Sequence, residues 1–180
     1  MNGFQKVEFL RGAMRVEQFP DDDKPWVLVA GRSNCGKSSL INALLGRRKV
    51  ARVSKTPGRT AEINFFLIDD RFYLVDLPGY GYAARPTDRR ERWAEIIPAL
   101  FSDPRTVLVL ALLDARRELA EEERQVLVMA AEAGTRGRLV LTKCDQVGKD
   151  TRNRLAKRLQ DEPVVTGPPL ATAARIRDGI

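Results

Sequence analysis

Three short clusters in the sequence carry residues able to do chemistry. The first, Gly31-Arg32-Ser33-Asn34-Cys35-Gly36-Lys37-Ser38, has the spacing G-x-x-x-x-G-K-[ST] and lies between an apolar run, Trp26 to Ala30, and a helix-forming run, Ser39 to Leu45. In that context the two glycines permit a tight turn whose backbone N–H groups point inward, and the following helix adds unpaired N–H groups and the positive end of its dipole. A polyphosphate is the natural occupant. Lys37 would reach its β and γ phosphates, and Ser38 would give its hydroxyl to Mg2+. The second cluster, Asp76-Leu77-Pro78-Gly79, places a carboxylate at the end of an apolar strand, where it can hold Mg2+ directly or through water. Gly79 then offers a backbone N–H to the terminal phosphate. The third, Thr142-Lys143-Cys144-Asp145, suits base recognition: the Asp145 carboxylate can accept from the N1–H and exocyclic amine of guanine, a donor pair that adenine lacks. Lys143 would lay its aliphatic stem over the base or brace the phosphate loop.

The remaining composition narrows the chemistry further. There is no histidine, which removes histidine-based triads, most zinc sites and any histidine general base. The two cysteines, Cys35 and Cys144, form neither a metal cluster nor a disulfide framework. No apolar run is long enough to cross a bilayer, and the N-terminus has no secretory pattern, so the expected location is the cytoplasm, with no membrane partner.

Positioning these clusters requires strands that deliver them to one edge. Ile63 to Asp69 and Phe72 to Asp76 read as a hairpin, Thr106 to Leu113 and Leu139 to Leu141 as buried strands, and Val164-Val165 as a last short strand. Helical patterns fall at Arg90 to Ile97, with Pro98 ending or kinking the helix, at Arg117 to Glu132 and at Thr151 to Leu159. The expected class is α/β: a three-layer P-loop NTPase fold with a mostly parallel six-stranded sheet and one antiparallel strand, its ligand at the strand C-termini. Residues 1–22, with the strand-like group Val7 to Leu10, read as an extension on the core, and 23–180 as the nucleotide domain.

The 180 residues carry 31 Lys and Arg against 24 Asp and Glu, a net charge of +7. Such an excess favours polyanionic partners, nucleic acid above all. Its distribution points the same way: Arg47, Arg48, Lys49, Arg52 and Lys55 precede Thr60, and Arg85, Arg89, Arg90 and Arg92 follow Gly79. These residues are the candidate RNA contacts.

In combination the motifs resemble those of the EngB (YihA/YsxC) family of bacterial ribosome-biogenesis GTPases, of the TRAFAC class. The likeness rests on Gly31 to Asn42, Ser54-Lys55-Thr56-Pro57-Gly58-Arg59-Thr60, Asn64-Phe65-Phe66, Leu74 to Ala83, Leu113-Asp114-Ala115-Arg116 and Thr142 to Asp145. The resemblance implies slow, Mg2+-dependent hydrolysis of GTP to GDP, association with the precursor of the large ribosomal subunit and its rRNA, a monomeric state, and a link to septation and cell division. It also implies roles. Lys37, Thr60 and Gly79 would be catalytic, Thr60 meeting Mg2+ as the first-switch threonine beside Gly58 and Arg59, and Ala171-Thr172-Ala173 would present backbone to the guanine oxygen. Asn34 stands where cation-activated relatives place an asparagine, which raises K+ as an activator. Tyr80 stands where many signalling GTPases have a water-orienting glutamine, so catalytic help is expected from the cation or a partner. Family members run on into a closing helix after the glycine equivalent to Gly179, so that helix is expected to be missing here. Two other readings stay open: a P-loop ATPase or kinase, and a non-enzymatic RNA-binding assembly module with a structural nucleotide.

Overall fold

The computed structural model describes residues 4–46, 62–80, 87–176, 178 and 179, with side chains within residues 87–102 described from 94 onward. The elements are β1 (Val7–Ala13), β2 (Trp26–Gly31), α1 (Lys37–Leu44), β3 (Ile63–Ile68), β4 (Phe72–Asp76), α2 (Thr87–Ser102), β5 (Thr106–Asp114), α3 (Glu121–Glu132), β6 (Arg136–Thr142), α4 (Lys149–Gln160) and β7 (Leu170–Ala171). They form one seven-stranded sheet in the order β1-β3-β4-β2-β5-β6-β7. Strand β3 runs antiparallel to both neighbours, and every other pairing is parallel.

The sequence expectation of one antiparallel strand holds, and the sheet has one strand more than expected. Residues Val7 to Ala13, read as an extension, pair with β3 along its length, with Val7 opposite Ile68 and Ala13 opposite Ile63. Valine, phenylalanine and leucine in this segment favour a pleated, half-buried edge. Pairing also covers the outer hydrogen-bonding edge of the hairpin, which would otherwise be open.

The last strand is displaced from its expected place. Val164-Val165 forms no strand: Pro163 lacks a ladder donor, the Val165 N–H bonds back to Glu162 O at 3.0 Å, and Val165 is buried as a plug under the sheet. The edge of β6 is taken instead by Leu170-Ala171. Helix α2 continues through Pro98 to Ser102. An interior proline costs about 3 kcal/mol of helix stability, but the turn beyond it carries Leu100 and Phe101, both buried, and their burial offsets that cost. Helix α3 starts at Glu121, later than the pattern suggested, because Glu123 returns to the Ala120 N–H at 3.1 Å and fixes the first turn there.

Two apolar layers flank the sheet. One gathers Trp26, Leu28, Phe65, Val75, Val109 and Leu139 under residues of α2, α3 and α4, and the other gathers Val29, Phe66, Leu74, Leu112 and Val140 under Leu40 and Ile41 of α1. At the base of the first, Phe19, Trp26 and Phe65 meet edge to face or tilted at 5.3–5.6 Å, and the Arg105 guanidinium lies 4.1 Å from the Trp26 ring. Because β2, β4, β5 and β6 are parallel, their C-terminal ends share one edge. The order reverses at β2, where an α/β sheet opens its ligand crevice.

Candidate functional site

The phosphate loop leaves β2 at Gly31 and enters α1 at Lys37, as its sequence context requires. Two residues inside it take left-handed backbone, Asn34 at φ 66° and Gly36 at φ 101°. Glycine adopts that region freely, and asparagine is one of the side chains that tolerates it. Cys35 is buried, while Asn34 is exposed at the crest of the loop. Its position follows from the backbone: the Cys35 N–H donates to Arg32 O at 3.1 Å, which turns the loop over.

Four neighbouring elements hold this loop. From β4, the Asp76 carboxylate accepts a short charged hydrogen bond from Lys37 Nζ, both side chains being about nine-tenths buried. From the segment after β4, Gly79 approaches Ser33 so closely that a Cβ on it would sit 2.9 Å from Ser33 Oγ and 3.1 Å from the Ser33 backbone nitrogen, so only glycine fits. The Ser33 N–H donates to Tyr80 O at 3.0 Å, and Arg32 and Tyr80 form a parallel bridge. From the end of β6, the Thr142 hydroxyl donates to Cys35 O, and Lys143, itself at φ 56°, donates from Nζ to Asn34 O at 2.6 Å.

The fourth support comes from the end of β5. Asp114, only 4% exposed, accepts from the Arg116 backbone N–H at 3.1 Å, from Arg116 Nε at 2.8 Å and Nη2 at 2.6 Å, and from Lys143 Nζ at 3.0 Å. Burial alone would push this carboxyl up, but the hydrogen bonds from Arg116 and Lys143 outweigh it and hold it well below the usual carboxylate range. The family resemblance had marked Asp114 without giving it a role. Its use is to aim Lys143 at the loop. Only a three-dimensional pairing reveals it, since Asp114 and Lys143 sit on neighbouring strands far apart in sequence.

Asp145 is the central residue of the short turn Cys144–Gln146 and is exposed. The strand that follows reaches the same place: the Cys144 N–H donates to Thr172 O at 3.1 Å and the Thr172 N–H to Leu141 O at 2.8 Å. Ala171, Thr172 and Ala173 thus lie against the Thr142 to Asp145 turn, with Thr172 and Ala173 buried. A cavity of about 480 Å³ opens beside the loop, lined among others by Arg32, Asn34, Asp114, Arg116, Glu123 and Lys143.

Among the predicted residues, the structure gathers Gly31 to Ser38, Asp76 to Gly79, Thr142 to Asp145 and Ala171 to Ala173 at one edge of the sheet. Gly58, Arg59 and Thr60 lie outside the described residues, as do Arg47, Arg48, Lys49, Arg52, Lys55 and Arg85; the side chains of Arg89, Arg90 and Arg92 do so too. For Mg2+ the donors in view are the Ser38 hydroxyl and the Asp76 carboxylate. Hard oxygen donors, one or two from the protein and the rest from phosphates and water, are what this ion takes, so the residues fit it. Among the described residues, no group of three or more acidic or sulfur side chains offers an alternative metal cage.

Comparison with known proteins gives the same picture from a different direction. Residues 26–143 match the family described as 50S ribosome-binding GTPase. The probable GTP-binding protein EngB of Roseobacter denitrificans is 43% identical over 150 residues, covering 83% of this chain and 69% of that one. Its counterpart in Gluconobacter oxydans is 47% identical over 144 residues, covering 79% and 63%. Among solved structures, a probable GTP-binding protein engB superposes with a TM-score of 0.62 at 22% identity, over 85% of this chain and 91% of that one. Era bound to MgGDPNP and nucleotides 1506–1542 of 16S ribosomal RNA superposes with a TM-score of 0.65 at 21% identity, over 85% and 52%. At those identities the superpositions speak for the fold.

Proposed function

The chain belongs to the EngB family of 50S ribosome-binding GTPases, and on that premise we propose that it hydrolyses GTP to GDP with Mg2+ in step with assembly of the large ribosomal subunit. The observation that carries the reading is the Lys143 bridge. A single side chain joins the base-recognition turn to the phosphate loop at Asn34 O and is steadied by Asp114. That coupling suits a nucleotide read at both ends. An ATPase or kinase has no use for Asp145 beside the base, and no described element forms an acceptor lid over the loop.

In the reaction, Lys37 leaves Asp76 for the β and γ phosphates, and the loop N–H groups hold the same oxygens. Ser38 and Asp76 would hold Mg2+ in its coordination shell, where the ion would supply positive charge against that developing on those phosphates. Thr60 completes that shell in the triphosphate state, as the family resemblance implies. Gly79 supplies a backbone N–H to the terminal phosphate. The Tyr80 hydroxyl is buried away from solvent, so it orients no attacking water, which supports a slow intrinsic rate. Asn34, exposed on the loop, would hold K+ if that ion is the activator, and the ion or a ribosomal partner would supply the extra positive charge. The basic segments flanking the switches meet rRNA phosphates, the protein acts as a monomer, and its place is the cytoplasm. No helix among the described residues is long and apolar enough to cross a membrane, consistent with that placement.

The test combines GTP and ATP titration, turnover in KCl against NaCl at equal ionic strength, and sedimentation with large-subunit particles in GTP analogue, GDP and no nucleotide. GTP preferred over ATP, turnover with Mg2+ and nucleotide-dependent co-sedimentation are expected. Equal affinity for ATP and GTP, or no turnover with particles present, refutes the reading.

A further inference from the structure

Helix α3 opens with Glu121, Glu122 and Glu123, and the last two point to different moving parts of the site. Glu122 pairs with Arg32 of the phosphate loop at 3.4 Å, on the half-exposed rim. Glu123 is 1% exposed, and its carboxylate accepts the capping bond from the Ala120 N–H at 3.1 Å. A carboxylate has two oxygens and about four lone-pair sites, so helix capping leaves it able to accept a further bond. Facing it is the Tyr80 hydroxyl, buried and without a hydrogen bond of ordinary geometry, with Glu123, Cys35 and Glu122 as the charged or titratable groups around it. Burial first, and then the Glu123 carboxylate, raise that phenol far above its usual range, so it stays a protonated donor. A buried donor and a buried acceptor side by side are each costly alone and inexpensive together.

We propose that Glu123 is a positioning residue for the second switch: it receives the Tyr80 hydroxyl and thereby holds Gly79 against the phosphate loop, while Glu122 holds the loop itself through Arg32. The backbone geometry gives this clasp its effect. Tyr80 O already accepts from the Ser33 N–H, and Gly79 touches the Ser33 backbone, so fixing the tyrosine ring fixes where the Gly79 N–H lies relative to the phosphates. Helix α3 therefore reports to both switch and loop. From α3, Arg124 pairs with Glu162 beyond α4 at 2.8 Å, and Glu118, in the loop before α3, pairs with Arg158 of α4, which gives a partner docked there a mechanical route to the site. This rests on the GTPase reading for its consequence but not for its geometry.

The experiment is a double-substitution cycle with Tyr80→Phe, Glu123→Ala and Glu123→Gln, read in two ways. The first needs no nucleotide: exchange of the Ser33 amide, followed by NMR on the whole chain. Loss of the clasp should speed that exchange by about tenfold in Tyr80→Phe and in Glu123→Ala, with no further gain in the double variant, because local opening sets the rate. Glutamine keeps the cap through its one carbonyl oxygen and turns its NH2 toward Tyr80, whose phenol oxygen can accept from it, so Glu123→Gln should stay within about twofold of wild type. The second is steady-state turnover, where Tyr80→Phe and Glu123→Ala should lower kcat by about tenfold and leave GDP affinity within about twofold, the signature of an interaction made toward the transition state. If Tyr80→Phe exchanges like wild type, or if the effects of Tyr80→Phe and Glu123→Ala multiply, Glu123 is only a helix cap and the proposal is overturned. If the exchange cycle behaves as expected and wild type turns over no GTP, the clasp stands and the GTPase reading falls.

Discussion

Replacing Asp114 by asparagine removes one charge and keeps its volume and one acceptor oxygen, so the consequence can be worked from its partners. Arg116 is about half exposed, and water takes over its guanidinium, so the loss of that pair adds little. Lys143 is 23% exposed, and its bond to a buried carboxylate is of the charged kind, about 1.5–3 kcal/mol. The chain should therefore lose about 1.5–3 kcal/mol of stability, nearly all of it from the Lys143 contact. Part of this loss appears in binding. A Lys143 that no longer rests on Asp114 must be ordered by the nucleotide, and about 1.4 kcal/mol of such ordering weakens GDP tenfold. The pH dependence has a fixed sign. Asp114 is held below its unfolded value, so its stabilisation is complete above about pH 4 and declines as pH falls below that. The gap between wild type and variant should shrink in the same direction. Urea unfolding from pH 7 down to pH 3, with GDP titration at pH 7, measures all three quantities. A variant within about 0.5 kcal/mol of wild type at pH 7, the range of ordinary surface substitutions, or a gap that widens on acidification, refutes the argument that this carboxylate carries the Lys143 bridge.

Three further outcomes follow from the same geometry. Asp145→Asn should cost about 2–5 kcal/mol in GTP affinity, as for truncating one partner of a charged hydrogen-bond pair, and should improve xanthine nucleotides relative to GTP; competition titrations decide it. Asp76→Asn should release Lys37 from its pair, so that GDP binding without Mg2+ strengthens while the gain on adding Mg2+ falls; calorimetry with and without chelator reads both, and an unchanged Mg2+ response counts against Asp76 as a metal-shell residue. Gly79→Ala should force the switch off Ser33, where the new Cβ would meet backbone at 3.1 Å, and cost about a hundredfold in kcat by misplacing a phosphate contact; wild-type turnover would show that Gly79 does not approach the phosphates.

What the sequence made legible was local. G-x-x-x-x-G-K-[ST], D-x-x-G and T-K-x-D carry their chemistry in spacing, and alternating apolar runs with turn residues between them place each at a strand end, which is why three clusters far apart in the chain could be expected around one ligand. The misplaced elements are those decided by competition over distance. Val7 to Ala13 became a strand because the hairpin edge was open to it, and Leu170-Ala171 displaced Val164-Val165 because Pro163 cannot donate to a ladder and Val165 had a pocket to fill. Pro98 sits inside a helix because buried side chains follow it. Glu123 had no signal beyond being an acid near an apolar run, and Asp114 had only its place in a family motif. Their roles exist only once Lys143 and Tyr80 are brought beside them.

The charges of the site fall into two kinds, and burial separates them. Lys37 and Asp76 are both about nine-tenths buried and neutralise each other. Neither can lose its partner without another, since an isolated buried charge costs several kcal/mol, on the order of 3–5 when a pair is broken from one side. A magnesium nucleotide meets that condition, bringing anionic oxygens to the lysine and a cation to the aspartate in the same event. A metal-free nucleotide supplies only half of the exchange and leaves a carboxylate facing phosphate. The pairs Lys143 with Asp114 and Arg32 with Glu122 sit farther out and lie beside the cavity along the loop. Each can stay closed while the inner pair opens. A loop whose outer pairs hold and whose inner pair swaps would select metal-bound polyphosphate by charge balance, and Lys143, at the turn proposed to read the base, is fastened to Asp114 by one of those outer pairs.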